Sequence, residues 1–149
     1  MAAKKPAARR AKKSAGKIKT PAKQALQRIG EISTEGEFMG IGRGTEGQPD
    51  YYVYRGPQSP KRLNHSAALK FAAACKHGGH RDWRVPDRTD GALLYANGRD
   101  QAKSGWHWLE PQSALYGASA WVQHFGNGAQ YDYHKSYEFE VVLVRRVPI

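Results

Sequence analysis

Apolar residues recur along this chain with two different periods, and the period switches several times after residue 30. Phe38-Met39-Gly40-Ile41-Gly42-Arg43-Gly44 reads as a strand whose glycines suit a strand end and a close backbone approach. Gly47-Gln48-Pro49-Asp50 is turn chemistry, and Tyr51-Tyr52-Val53-Tyr54 is strand-forming, so a hairpin is expected between Glu37 and Arg55. Ala68, Leu69, Ala72 and Cys75 then share one face at helical spacing, with Lys70 and Lys76 turned outward. That predicts a helix over His65–His77, capped by Asn64 and ended by Gly78-Gly79. A second helix follows Pro86, with Asp87 as N-cap, Asp90 completing a short capping box and Asn97-Gly98 as the stop. Its inner stripe is Leu93, Leu94 and Tyr95, with Ala92 and Ala96.

Past residue 105 the period returns to two. Trp106-His107-Trp108 and Ala120-Trp121-Val122-Gln123-His124-Phe125 alternate, Phe125-Gly126-Asn127-Gly128-Ala129 is a hairpin turn, and Gln130–His134 runs back. Phe139–Arg145 is nearly all apolar and reads as a central strand buried on both faces. Trp83, Trp106, Trp108 and Trp121 are expected in the core. The fold class is therefore α+β: two short helices and a twisted antiparallel sheet.

Residues 1–29 follow neither period. They are Lys/Ala-rich, broken by Pro6, Gly16 and Pro21, and are expected to be a disordered basic tail ahead of a folded module over 30–149. A short helix over Ala22–Ile29 would hand the chain to the module at Gly30. Charge sharpens this division. The chain has 149 residues and a net charge of +11, yet residues 1–28 alone hold ten cations and no acid. Fourteen cations and thirteen acids remain beyond them, a net of +1. Lys4, Lys5, Arg9, Arg10, Lys12, Lys13, Lys17, Lys19 and Lys23 are thus the candidate nucleic-acid contacts, non-specific and phosphate-directed. An acidic protein surface or an anionic membrane would attract the same tail, and a solvated solubility segment is the plain alternative. No aromatic interrupts these cations, so base stacking is not indicated.

Candidate chemistry is sparse. Cys75 is the only cysteine, which forbids an internal disulfide, and Cys75-x-His77-x-x-His80 lacks a fourth metal ligand. No metal, cofactor or catalytic residue is assigned. Asp82, Asp87 and Asp90 read as turn and cap residues, and Asp87-Arg88 as a local ion pair. The basic N-terminus lacks the apolar core of a secretory signal, and no apolar run is long enough to span a bilayer; a soluble protein without membrane insertion is expected. Tyr116, Gln123, Tyr131, Tyr133, His134 and Tyr137 concentrate tyrosine, amide and imidazole around the C-terminal hairpin. That is a composition suited to recognition, so they are the candidate ligand- or partner-binding residues.

Five segments in order carry a family resemblance. They are Asp82-Trp83-Arg84-Val85-Pro86-Asp87-Arg88; Leu93-Leu94-Tyr95-Ala96-Asn97; Trp106-His107-Trp108; Ala120–Phe125 with Gly128-Ala129-Gln130; and Val142-Leu143-Val144-Arg145-Arg146. Over roughly Gly30–Ile149 the chain resembles the domain of unknown function at the C-terminus of the Legionella collagen-like adhesin, above all its short stand-alone phage and prophage members. Leu109-Glu110 stands where that family usually has Ser-Ser, and Phe139-Glu140 replaces a more basic stretch. The resemblance implies a C-type-lectin-like fold, related to that of formylglycine-generating enzymes, and noncovalent binding rather than catalysis. The expected role is a virion component or a module recognising a protein or glycan partner, with an intracellular DNA-associated accessory protein as the alternative. The location would be virion or host cytoplasm, and a homo-oligomer would suit an adhesin relative. The Lys/Ala tail lies outside the resemblance.

Overall fold

A computed structural model describes residues 27–98, 103–112 and 117–149. The strands are β1 (Ile32–Ser33), β2 (Gly36–Gly42), β3 (Tyr51–Gln58), β4 (Trp106–Gln112), β5 (Ser119–His124), β6 (Gln130–His134) and β7 (Val142–Pro148). The helices are α1 (His65–Ala74) and α2 (Arg88–Gly98), with a 3-10 turn at His77–Gly79. Two antiparallel sheets form, in the orders β1-β2-β3-β7 and β4-β5-β6, so the class is α+β as the periodicities predict. No helix among the described residues is long and apolar enough to cross a membrane. The N-terminal tail up to residue 26 and its candidate cations, the proposed helix over Ala22–Ile29 in all but its last three residues, and Tyr116 lie outside the described residues.

Local chemistry places both helix starts. The Asn64 carboxamide oxygen accepts from Ala67 N–H at 2.9 Å. At α2 the capping box is reciprocal: Asp87 Oδ1 accepts from Asp90 N–H at 2.8 Å, and Asp90 Oδ2 accepts from Asp87 N–H at 3.3 Å. Helix α1 stops at Ala74, earlier than the glycine pair predicts. Cys75 is already extended, and the chain is drawn into the 3-10 turn, where Trp83 Nε1 donates to His77 O at 3.0 Å. Leu69, expected on the inner face, is exposed, and the buried side of α1 is His65, Ala68 and Ala72.

Two apolar clusters fill the interior. One gathers Ala68 and Ala72 of α1 with Trp83, Val85, Trp108, Ala120 and Val122; the other gathers Met39, Val53, Leu94 of α2 and Phe125. Strand β7 with the residue just before it serves both, because Val141 and Leu143 enter the first while Val142 and Val144 enter the second. Burial on both faces is as the sequence predicts, but β7 ends its sheet rather than lying at its centre. Its outer edge is closed by Arg84, which exchanges two backbone hydrogen bonds of 2.9 Å with Val144. The same 82–88 segment reaches the other sheet through Glu110 N–H, which donates to Pro86 O at 2.7 Å. The two arginines that follow Val144 diverge. Arg145 pairs with Asp82 and Glu35, each at 2.6 Å, and Arg146 pairs with Asp87 and with Asp90 at 2.9 Å. Asp87 therefore anchors β7, and the expected local Asp87–Arg88 pair is replaced by this long-range one.

Trp121 is the clearest correction. Alternation from Ala120 to Phe125 does not say which face is inside; Ala120 and Val122 enter the first cluster, and Trp121 is left half-buried on the opposite face. There the Arg88 guanidinium lies 3.9 Å above its ring. Trp106 is also only half-buried and packs at the margin of that cluster, whereas Trp83 and Trp108 are core residues.

Candidate functional site: the aromatic face of the C-terminal hairpin

The hairpin turn is built as its residues dictate. Gly128 has φ +79°, Asn127 Oδ1 accepts from Ala129 N–H at 2.9 Å, and His124 Nδ1 accepts from Gly126 N–H at 3.0 Å. The turn sets the pairing: Val122 stands opposite Tyr131, Ala120 opposite Tyr133, and Trp108 opposite Val122. Directly opposed residues share a face, so Tyr131 and Tyr133 lie on the Trp106–Trp108 side of the sheet.

On that side the rings are continuous. Trp106 makes edge contacts with His124, Tyr131 and Tyr133 at centroid separations of 4.9, 5.6 and 5.5 Å. Tyr133 continues to Tyr137 at 5.4 Å and to Phe139 at 5.3 Å. Phe139 meets the buried Trp108 at 5.0 Å. The inner rings are thus rooted in the core, while Tyr131 is 60% exposed and Tyr137 52% exposed. Rigid aromatic area presented to solvent on a packed base is the arrangement a recognition surface uses, because little side-chain entropy remains to be lost on binding.

The same register separates the other candidates from the tyrosines. Gln123 pairs with Gln130 and His134 with Ser119, which puts Gln123 and His134 on the opposite face. Gln123 is fully buried rather than at a rim. Its amide donates to Gly91 O at 2.6 Å, and its oxygen accepts from Gln130 Nε2 at 2.8 Å. Gln130 is held in turn by Arg88, whose Nε donates to Gln130 Oε1 at 3.0 Å. Gln123 therefore organises the packing of α2 on this sheet. His134 is exposed but locally engaged, with Nδ1 2.8 Å from Ser136 Oγ and accepting from Ser136 N–H at 3.1 Å. The structure brings Tyr131 and Tyr133 together with Tyr137, as residue type suggests, and adds Trp106, which alternation assigns to the core. Trp106 is legible as a strand residue; its position at the margin of the cluster is a tertiary property.

Titratable groups lie mostly elsewhere. His107 is buried between strands, with Nε2 3.0 Å from Gln58 Nε2 and Nδ1 3.1 Å from Gly105 O, and burial pushes its pKa down. His65 is buried against Trp108, and burial lowers its pKa as well. Asp90 is wholly buried; burial, and then the charge of Asp87, raise its pKa against the pull of Arg146. Asp82 moves the other way, lowered chiefly by its hydrogen bond from Arg145. Among the described residues no three of His, Cys, Asp and Glu converge as metal ligands. Cys75 packs on the first cluster, the His77 ring meets Trp83 at 5.7 Å, and His80 lies 3.7 Å from Glu35. No protein-family model matches the chain, and no curated protein aligns with it.

Proposed function

We propose that the chain is a non-catalytic recognition module with a basic arm that attracts nucleic acid. In this reading residues 30–149 are a C-type-lectin-like domain of the Legionella collagen-like adhesin C-terminal type. Two sheets with two helices agree with that reading. So does the mutual pairing of two of its motifs, since Asp82 and Asp87 of the first hold Arg145 and Arg146 of the last. The observation that carries recognition is the exposed Tyr131 and Tyr137 on one ring system with Trp106 and Tyr133. The partner is a protein or glycan surface, engaged from the virion or in the host cytoplasm, and a homo-oligomer would multiply weak contacts. The charge division between arm and module supports a second reading, an intracellular DNA-associated accessory protein.

The arm is tested on the full chain by fluorescence anisotropy with duplex DNA across a salt series. Neutralising six to eight phosphates predicts a log K against log salt slope of about −5 to −7. Replacing Lys4, Lys5, Arg9, Arg10, Lys12 and Lys13 by Gln is expected to flatten that slope by about 5. A slope that survives the replacement would place DNA binding on the module and overturn the division of labour.

A further inference from the structure

A concave site lies away from the hairpin face, and it does not depend on the reading above. The β2–β3 loop, the first turn of α2 and the end of β7 enclose a pocket of about 350 Å³, lined among others by Arg43, Thr45, Tyr51, Asp87, Thr89 and Arg146. That is the small end of the range for ligand sites, roughly 300–1,000 Å³. The loop is shaped internally: Asp50 Oδ1 accepts from Gly44 N–H at 2.8 Å, and Gln48 N–H donates to Thr45 O at 2.7 Å.

Arg146 is fixed within this wall. Its Nη2 bonds to Asp87 and, at 2.9 Å, to Asp90; its Nε reaches Asp90 at 3.2 Å; and its guanidinium lies 4.2 Å from the Tyr51 ring centre. Its Nη1 amino group has no partner among the described residues. Asp87 is fully engaged, one oxygen by Asp90 N–H and the other by Arg146, so it is poorly placed to take a cation. Arg43 is exposed and unpaired among the described residues, as are the hydroxyls of Thr45 and Thr89. The pocket therefore offers the unpaired Arg43 guanidinium, the remaining Nη1 amino group of a fixed Arg146 whose other donors are held by Asp87 and Asp90, and two free hydroxyls.

From this arrangement we infer that the pocket binds a small hydroxylated carboxylate of monosaccharide size, its carboxylate on Arg43 and Arg146 and its hydroxyls on Thr45 and Thr89. The anion is singly charged because two carboxylates, Asp87 and Asp90, already face Arg146, and a dianion would meet their field. Arg43 has its whole guanidinium fork free to match a carboxylate in geometry as well as charge, and Arg146 adds the donors of Nη1.

The test uses the full chain, labelled with nitrogen-15 and titrated separately with glucuronate, glucose and inorganic phosphate. The Thr45 and Thr89 amide resonances are the readout, since anions gathered by the basic arm leave them unmoved. Glucuronate is expected to shift both in a saturable way, with a Kd of about millimolar or tighter. Arg43→Ala, at an exposed position, is expected to weaken this by about tenfold or more, as loss of a charged hydrogen bond does. Thr45→Ala is expected to weaken it less. The inference is overturned if glucuronate moves neither resonance, if glucose or phosphate does as well as glucuronate, or if Arg43→Ala leaves the affinity unchanged in a protein whose spectrum is otherwise intact.

Discussion

Trp108→Ala and Trp121→Ala, two identical substitutions on neighbouring strands, should differ several-fold in cost. Trp108 has no exposed surface, meets His65 at 5.1 Å and Phe139 at 5.0 Å, and donates Nε1–H to Leu63 O at 2.7 Å. Truncating a buried tryptophan to alanine costs about 3–5 kcal/mol through lost transfer energy and the cavity left behind. The hydrogen bond adds about 1 kcal/mol and no more, because Leu63 O keeps its bond from Phe139 N–H. Trp108→Ala should therefore cost roughly 4–6 kcal/mol. Trp121 is half-buried beneath Arg88 and leaves no closed cavity. Its loss removes a cation–π contact of about 0.5–1 kcal/mol and partial burial of similar size, roughly 1–2 kcal/mol together. Urea unfolding followed by far-ultraviolet circular dichroism reads both without relying on the fluorescence of the deleted rings. Equal costs, or a larger cost at Trp121, would show that β5 buries the other of its two faces and would refute the assignment of the hairpin's tyrosines.

Three further outcomes are expected. A methyl group at Gly91 would come within 2.9 Å of Leu109 Cδ2 and 3.1 Å of Gln123 Oε1, so Gly91→Ala should destabilise by about 1–3 kcal/mol despite a gain in helix propensity, measured by thermal unfolding. His65 and His107 have folded pKa values below the ordinary 6.5, so the unfolded chain takes up protons first as pH falls. Their contribution to stability is present at and above pH 6.5 and is lost below it, by up to about 1.4 kcal/mol per pH unit for each histidine, and His107→Gln should flatten urea midpoints across this window. Asp82 has the opposite starting point, a carboxylate held below its ordinary 3.8 by Arg145, so its contribution is complete above that value and vanishes as pH falls through the lowered one. Asp82→Asn should remove that part of the acid limb of the unfolding profile.

What the sequence makes legible here is what neighbouring residues decide among themselves. Asn64, the Asp87–Asp90 box and the Gly126–Gly128 turn act over three or four residues, and each appears as read. The end of α1 is different, because it depends on Trp83 capturing His77 O across a turn that no propensity describes. Alternation names two faces of β5 but not the inner one. Fully buried Gln123 lies on the face that α2 covers, so a polar residue there signals an internal hydrogen-bond network rather than a rim. The site was half visible for the same reason. Period two places Tyr131 with Tyr133 and His134 behind them, but only the pairing of Val122 with Tyr131 reveals that Gln123 lies behind them too. The ion pairs of Arg145 and Arg146 join residues more than fifty positions apart, beyond any local pattern.

Because successive residues of β7 alternate between the two clusters, neither sheet has an interior of its own. Half of each would be missing if the strand were displaced, so the molecule has no surviving fragment to fall back on and should melt in one calorimetric step. A protease cut between residues 134 and 142 that let β7 leave would abolish the tyrosine face and the arginine-lined pocket together, although they are on different sheets. Variation is safest where that strand has no stake. The exposed side chains Arg43, Thr45 and Glu46 of the β2–β3 loop are the places where new specificity can be written without disturbing the frame, whereas Gly44, Gly126 and Gly128 have no room for a Cβ.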